Sequence, residues 1–352
     1  MTLRIITVIG TRPQFIKSAP VSEQFRLKGI DEQVINTGQH FDPDMAGVFF
    51  KDLELSPPAI NLDVHGDTPT ETLGRMMSGL EGAFAEMKPD VVVVYGDTNT
   101  TLAGSIIASR CGHPIVHIEA GLRSHNKAMP EEINRIVADH CASLHLCPTR
   151  TAVRELEREG IMGESVIHIG DVMLDLALRY RPIAAERSKI LADLELTGSE
   201  YAVATVHRQE NTDDPKVLKA VFDYLAAESR LLPIVLPLHP RTRKSIEGLG
   251  IDFAAIRLIP PLGYIDMVRL MSEAKCVYTD SGGLQKEAYF FGVPSVILRN
   301  ETEWVELIDS GWSRYWRDPK KAISTGILGR IDDFGGGNAA TLAVQAICDR
   351  FV

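Results

Sequence analysis

Three carboxylates in the first half of the chain stand where a short apolar run gives way to polar sequence. Asp97 follows 91–96, Glu119 closes 115–119, and Glu131 lies in MPEEINR (129–135). Carboxylates gathered in one place push their pKa values apart, which supplies an acid and a base for one proton transfer. Two cations, Arg12 and Lys17, follow the first apolar run in GTRPQFIK (10–17). At a helix start they add charge to free backbone N–H groups and invite an anion. Plainer readings compete. The first motif also suits a tight turn with two solvated cations. Asp97 or Thr98 also suits a helix cap, and Glu131, after Pro130, a favourable charge at a helix N-terminus. On that helix Glu131, Arg135 and Asp139 are spaced to share a face and form a chain of charge pairs.

The second half offers anion chemistry. His207 in TVHRQEN (205–211) and His239 in HPR (239–241) each close an apolar run. One histidine alone is usually structural; two at the same edge carry more weight. In DSGGLQKEA (280–288), Ser281, Gly282 and Gly283 expose successive N–H groups, a nest for a pyrophosphate. Glu287, further along the same helix, is placed to hold two ribose hydroxyls. Arg135 and His239 are counted with the substrate-binding set. Trp304, Trp312 and Trp316 read as packing.

The elements that must position these residues are short apolar runs alternating with helical patterns. The runs are 5–10, 33–37, 91–96, 115–119, 144–148, 166–170, 201–207, 234–239, 256–260, 276–280 and 295–299. Such runs are parallel strands buried on both faces, and the alternation predicts α/β architecture. A chain of 352 residues fits about two domains at roughly 150 residues each. The expected division is 1–172 plus 338–352 against 173–337, with the Gly-rich break 335–338 preceding a last helix over 339–351. Two doubly wound domains facing a central cleft would set every motif beyond the carboxyl ends of the strands.

Composition removes other classes. Lys and Arg number 37 against 47 Asp and Glu, a net charge of −10, and no basic run points to nucleic acid or an anionic membrane. No apolar stretch approaches the ~20 residues of a membrane span, and the N-terminus reads as a strand rather than a signal peptide. Five cysteines without CxxC spacing argue against a disulfide framework or a metal site and fit the cytoplasm. GTRPQFIK is neither GxGxxG nor a Walker loop, so no nicotinamide cofactor is expected.

Taken in order, GTRPQFIK, TGQH, YGDTNTT, HIEAGLRS, MPEEINR, TVHRQEN, HPR, DSGGLQKEA and NETEWVEL resemble the non-hydrolysing UDP-N-acetylglucosamine 2-epimerase family nearly end to end. The resemblance implies a GT-B-like fold of two Rossmann-like domains and a homodimer. It also implies inversion at C2 of a UDP-sugar by anti elimination of UDP to a 2-acetamidoglucal and re-addition, without a cofactor, for surface polysaccharide synthesis. Carried across, Asp97 and Glu131 are the acid and base, and Glu119 supports the sugar or shares the proton handling. Arg12, His207, Ser281, Gly282 and Gly283 meet the diphosphate, so His207 counts with the catalytic residues. Lys17 lies near the phosphates and Glu287 holds the ribose. The sequence departs from the family at Phe41-Asp42 and His65-Gly66-Asp67, where members carry residues of an allosteric UDP-GlcNAc site, and at Trp304, where members carry an arginine. UDP-GlcNAc is the default substrate. KEAYFFG and ETEWVEL resemble more the branch acting on UDP-2,3-diacetamido-2,3-dideoxyglucuronate, where Arg123, Arg241 or Arg243 would meet the C6 carboxylate. A GT-B glycosyltransferase, a hydrolysing epimerase and a non-catalytic UDP-sugar sensor are the competing functions.

Overall fold

The computed structural model describes residues 3–39, 50–238, 240–246, 248–318 and 329–352. The chain forms two compact units: residues 1–176 with 332–352, and residues 177–331.

The first unit holds a seven-stranded sheet: β1 (Arg4–Ile9), β2 (Asp31–Asn36), β3 (Ile60–Asn61), β4 (Val91–Tyr95), β5 (Ile115–Ile118), β6 (Leu144–Cys147) and β7 (Val166–His168). The order across it is β3-β2-β1-β4-β5-β6-β7, and every pairing is parallel. Every residue of β4 is fully buried, as an unbroken run of valines requires of a strand covered on both faces. Met76, Leu80 and Phe84 of the helix Pro69–Met87 and Ala103 and Ile107 of the helix Asn99–Arg110 fill one side.

The second unit repeats the plan with β8 (Ala202–Thr205), β9 (Ile234–Pro237), β10 (Ile256–Ile259), β11 (Cys276–Thr279), β12 (Ser295–Ile297) and β13 (Ser313–Tyr315). Its order is β10-β9-β8-β11-β12-β13, again all parallel. Leu218, Val221, Phe222 and Leu225 of the helix Pro215–Ser229 cover the face carrying Ala204, Leu236 and Tyr278. Both sheets are therefore doubly wound, and each reverses winding direction between its first and fourth strands. Ligands of such sheets bind beyond the carboxyl ends of the strands at this reversal.

All eleven expected strands are present. The structure adds β3 and β13, which run two and three residues. The last helix, Ala339–Phe351, has the expected bounds and belongs to the first unit. Its N-cap Asn338 makes no side-chain cap bond. Asp175 does that work instead, its carboxylate accepting from Ala339 N at 3.1 Å and Ala340 N at 2.7 Å. Burial outweighs those bonds and raises the Asp175 pKa to about 6. No helix among the described residues is long and apolar enough to cross a membrane.

Candidate active site

In the first unit, the loops after β1, β4 and β5 are tied together by side chains of the sequence motifs. Gln14, in the first turn of the helix Arg12–Leu27, accepts from Gly10 N at 2.9 Å. Its amide donates to Tyr95 O and to Thr101 Oγ1, each at 3.1 Å. Thr37 and Thr100 share a 2.8 Å hydrogen bond, and Gln39 Oε1 accepts from both Thr100 N and Thr100 Oγ1. The loop after β2 is thereby docked on the start of the helix Asn99–Arg110. These bonds lock the segments around the carboxylates without using the carboxylates.

Thr98 is the cap of that helix, accepting from Thr101 N. Asp97 turns elsewhere: its Oδ2 lies 2.5 Å from Arg135 Nη2. Arg135, only 1% exposed, also reaches Glu132 Oε2 at 2.8 Å. Lys17 Nζ meets Glu119 Oε1 at 2.5 Å, and both side chains are buried. Glu119 has a φ of 69°, in the left-handed region, where a non-glycine residue carries strain that its surroundings must hold. Gly96, with φ 62°, gives this pair room. A Cβ there would stand 2.8 Å from Lys17 Nζ and 3.2 Å from Glu119 Oε1.

The helix Pro130–Cys141 buries Glu132, Arg135 and Asp139. Arg135 and Asp139 lie on one buried face as expected, and the acidic residue buried with them is Glu132 rather than Glu131. Glu131 sits part-exposed in the first turn. Glu132 accepts from Ser124 N, Ser124 Oγ and His125 N. Burial would raise its pKa, but these donors and Arg135 outweigh burial and lower it. Asp139 is directed to His117 and Arg123. Arg123, offered above for a sugar carboxylate, is buried and committed: it donates to Asp139 and, through two nitrogens, to Glu159. Arg12 lies part-buried at the start of its helix.

In the second unit the matching positions follow β8 and β11. Asp280 is fully buried at the tip of β11. Its Oδ2 accepts from His207 N, Arg208 N and Asn211 Nδ2, each at 3.0 Å. Its Oδ1 lies 3.1 Å from Nδ1 of the half-exposed His207 ring. Burial would raise the Asp280 pKa, yet His207 and these donors hold it at about 2. Asp280 thus anchors the backbone and ring of His207 beside the helix Gly282–Phe290. Ser281 caps that helix, and a Cβ on Gly282 would overlap the Glu303 carboxylate. Glu287 is buried on the same helix. Trp304 is buried and takes Lys286 Nζ over its ring at 4.0 Å, a cation–π contact in the core. His239, His40, Phe41 and Asp42 lie outside the described residues, as does the side chain of Arg241.

The structure therefore joins Lys17 to Glu119, Asp97 to Arg135, and His207 to the helix start at Ser281. Sequence reading gave no role to Gln14, Glu132 or Asp280, and the bonds of Gln14 and Asp280 reach residues distant in the chain. Burial of a polar side chain within a motif is their one common signal, and sequence does not display it.

The family model for UDP-N-acetylglucosamine 2-epimerase matches residues 24–347. The chain belongs to this family. It is 45% identical over 314 residues to the UDP-2,3-diacetamido-2,3-dideoxy-D-glucuronate 2-epimerase of Pseudomonas aeruginosa, covering 88% of this chain and 87% of the relative. It is 30% identical to the UDP-N-acetylglucosamine 2-epimerase of Escherichia coli, with 98% of each chain covered. The crystal structure of the Methanocaldococcus jannaschii UDP-GlcNAc 2-epimerase in complex with UDP-GlcNAc and UDP superposes with a TM-score of 0.92. It shares 33% identity and covers 99% of this chain and 100% of its own. The fold is thus GT-B-like, with two Rossmann-like units.

Proposed function

We propose that the protein interconverts the C2 epimers of a UDP-2-acetamido sugar without hydrolysing it. The observation that carries this reading is the set of carboxylates held beyond the strand ends of the first unit. Asp97 and Glu119 each face a buried cation, and Glu131 opens the neighbouring helix. A glycosyltransferase needs only one acceptor base, whereas inversion at C2 needs a proton removed from one face and returned to the other.

In this reading Asp97 and Glu131 handle the C2 proton, while Glu119, held by Lys17, supports the sugar. Removal of the proton leaves its electron pair to form the C1–C2 double bond. The C1–O bond breaks, and its electrons leave with UDP. Re-addition of UDP, with protonation of C2 on the opposite face, gives the epimer. Arg12, His207 and the amides of Ser281, Gly282 and Gly283 take up the charge that grows on the departing diphosphate. Glu287 holds the ribose. Arg135 and His239 stay in the binding set, with Arg135 acting through Asp97. A homodimer working in the cytoplasm on a surface polysaccharide precursor completes the reading; these parts rest on the family resemblance.

UDP-GlcNAc is the family's default substrate. A second reading, UDP-2,3-diacetamido-2,3-dideoxyglucuronate, is favoured by the 45% identity to the enzyme of that name against 30% to the Escherichia coli enzyme. The test is to incubate the protein with each sugar and separate the products. Interconversion of two intact UDP-sugars supports the proposal. Release of UDP with a free 2-acetamido sugar means a hydrolysing enzyme, and UDP release that depends on an added acceptor means a transferase.

A further inference from the structure

His117 lies on β5, fully buried, and no role in proton transfer or UDP binding has been given to it. Its Nε2 is 2.8 Å from the carbonyl oxygen of Gly96. A carbonyl only accepts, so Nε2 carries the proton. Its Nδ1 is 2.6 Å from Asp139 Oδ1. Asp139 also receives Arg123 Nη1 at 2.7 Å and Gly121 N at 3.2 Å. Burial alone would raise the Asp139 pKa, but His117 and Arg123 outweigh it and keep the group a carboxylate. Each ring nitrogen thus has a partner, and the ring is fixed at both ends.

The Gly96 carbonyl belongs to the peptide unit that joins Gly96 to Asp97. The next carbonyl, that of Asp97 itself, accepts from Asn134 Nδ2 at 2.9 Å. Both peptide planes flanking Asp97 are thus held by buried side chains, while Arg135 holds its carboxylate. Glycine at 96 makes such a clamp necessary, because the residue reaches positive φ without steric cost and would otherwise let the plane turn. The same glycine makes room for Lys17 and Glu119.

We propose that His117 is a positioning residue for the C2 proton transfer: it fixes the Gly96–Asp97 peptide plane and so aims the Asp97 carboxylate. This inference rests on the reading of Asp97 as a proton-transfer group. Misplacing a reacting group by about 1 Å is enough to cost on the order of 100-fold in rate.

The test compares wild type, His117→Asn and His117→Gln at saturating UDP-sugar in heavy water, with UDP affinity and Tm measured alongside. Asparagine places an amide near the Nδ1 position, keeping the donor to Asp139 and losing the one to Gly96. Glutamine places its amide near Nε2 and restores the donor to Gly96. His117→Asn is expected to slow C2 deuterium exchange about 30- to 100-fold with UDP affinity unchanged, and His117→Gln to recover most of the rate. Equal losses of rate in both variants, in step with their Tm, make His117 merely structural and overturn the proposal. Should His117→Asn fail to fold, Asn134→Leu releases the other peptide plane. It is expected to show the same slow exchange with intact UDP binding, and a wild-type rate there overturns the proposal. A wild-type protein that exchanges no deuterium at C2 instead overturns the function proposed above.

Discussion

The two units share one strand order and differ in what they place at its reversal point. In the first, buried cations hold carboxylates: Lys17 meets Glu119 and Arg135 meets Asp97. In the second, a buried carboxylate is the anchor: Asp280 gathers the backbone and ring of His207 beside a helix N-terminus. The lesson is one of sign. A doubly wound sheet fixes where a loop emerges, and the residues that follow its strands set the sign of the charge held there.

The largest expected effect breaks the first unit alone. Asp97→Asn removes the charge facing Arg135 and any proton transfer through this residue. C2–H exchange should fall by roughly 10²- to 10⁴-fold, while calorimetry should show UDP affinity within about threefold of wild type, a span under 1 kcal/mol. Loss of both together would show that the units do not divide the work.

The second unit should answer to acid. The Asp280 pKa of about 2 in the fold lies below the usual 3.8. Its stabilising contribution is therefore present above pH 4 and lost as pH falls towards 2, by about 2 kcal/mol. Acid unfolding of Asp280→Asn should lack that part of the slope, and its Tm at neutral pH should already be lower. An acid limb identical to wild type would remove Asp280 as the anchor.

Glu287→Ala should weaken UDP binding about tenfold, an effect of about 1.4 kcal/mol, yet leave exchange at saturation within a few-fold. Asp175→Asn should act on stability rather than on binding or exchange. Its pKa of about 6 is raised in the fold, so the folded protein binds more protons than the unfolded chain between about pH 4 and 6. Stability should decline across that window as pH rises. The variant should flatten the decline, which thermal unfolding at several pH values measures.

The strand scaffold was readable because each central strand is an unbroken apolar run. The strands β3 and β13 were not, since Ile60–Asn61 and Ser313–Tyr315 are short edge pieces with no apolar signature. The helix Ala339–Phe351 was readable from the glycines before it, but its true cap, Asp175, lies 164 residues earlier. The motifs drew attention to loops that the structure ties together; the pairings within them stayed hidden because they join distant residues. Lys17 and Glu119 are 102 apart in the chain, and His207 and Asp280 are 73 apart. The same blindness allowed Arg123 to be offered for a sugar carboxylate, when Glu159 and Asp139 already occupy its guanidinium. On the helix Pro130–Cys141, spacing placed Arg135 and Asp139 on the buried face but chose Glu131 where Glu132 faces inward.

The central claim is that the carboxylates of the first unit move a proton at C2 while UDP leaves and returns. Wild-type protein incubated in heavy water with UDP-GlcNAc, and separately with the diacetamido-uronate, tests it by proton NMR. The account predicts that one of the two sugars gains deuterium at C2 as its epimer appears and that UDP stays bound in UDP-sugar at equilibrium. Epimer formed with the C2 proton retained, or no exchange with either sugar, would contradict it.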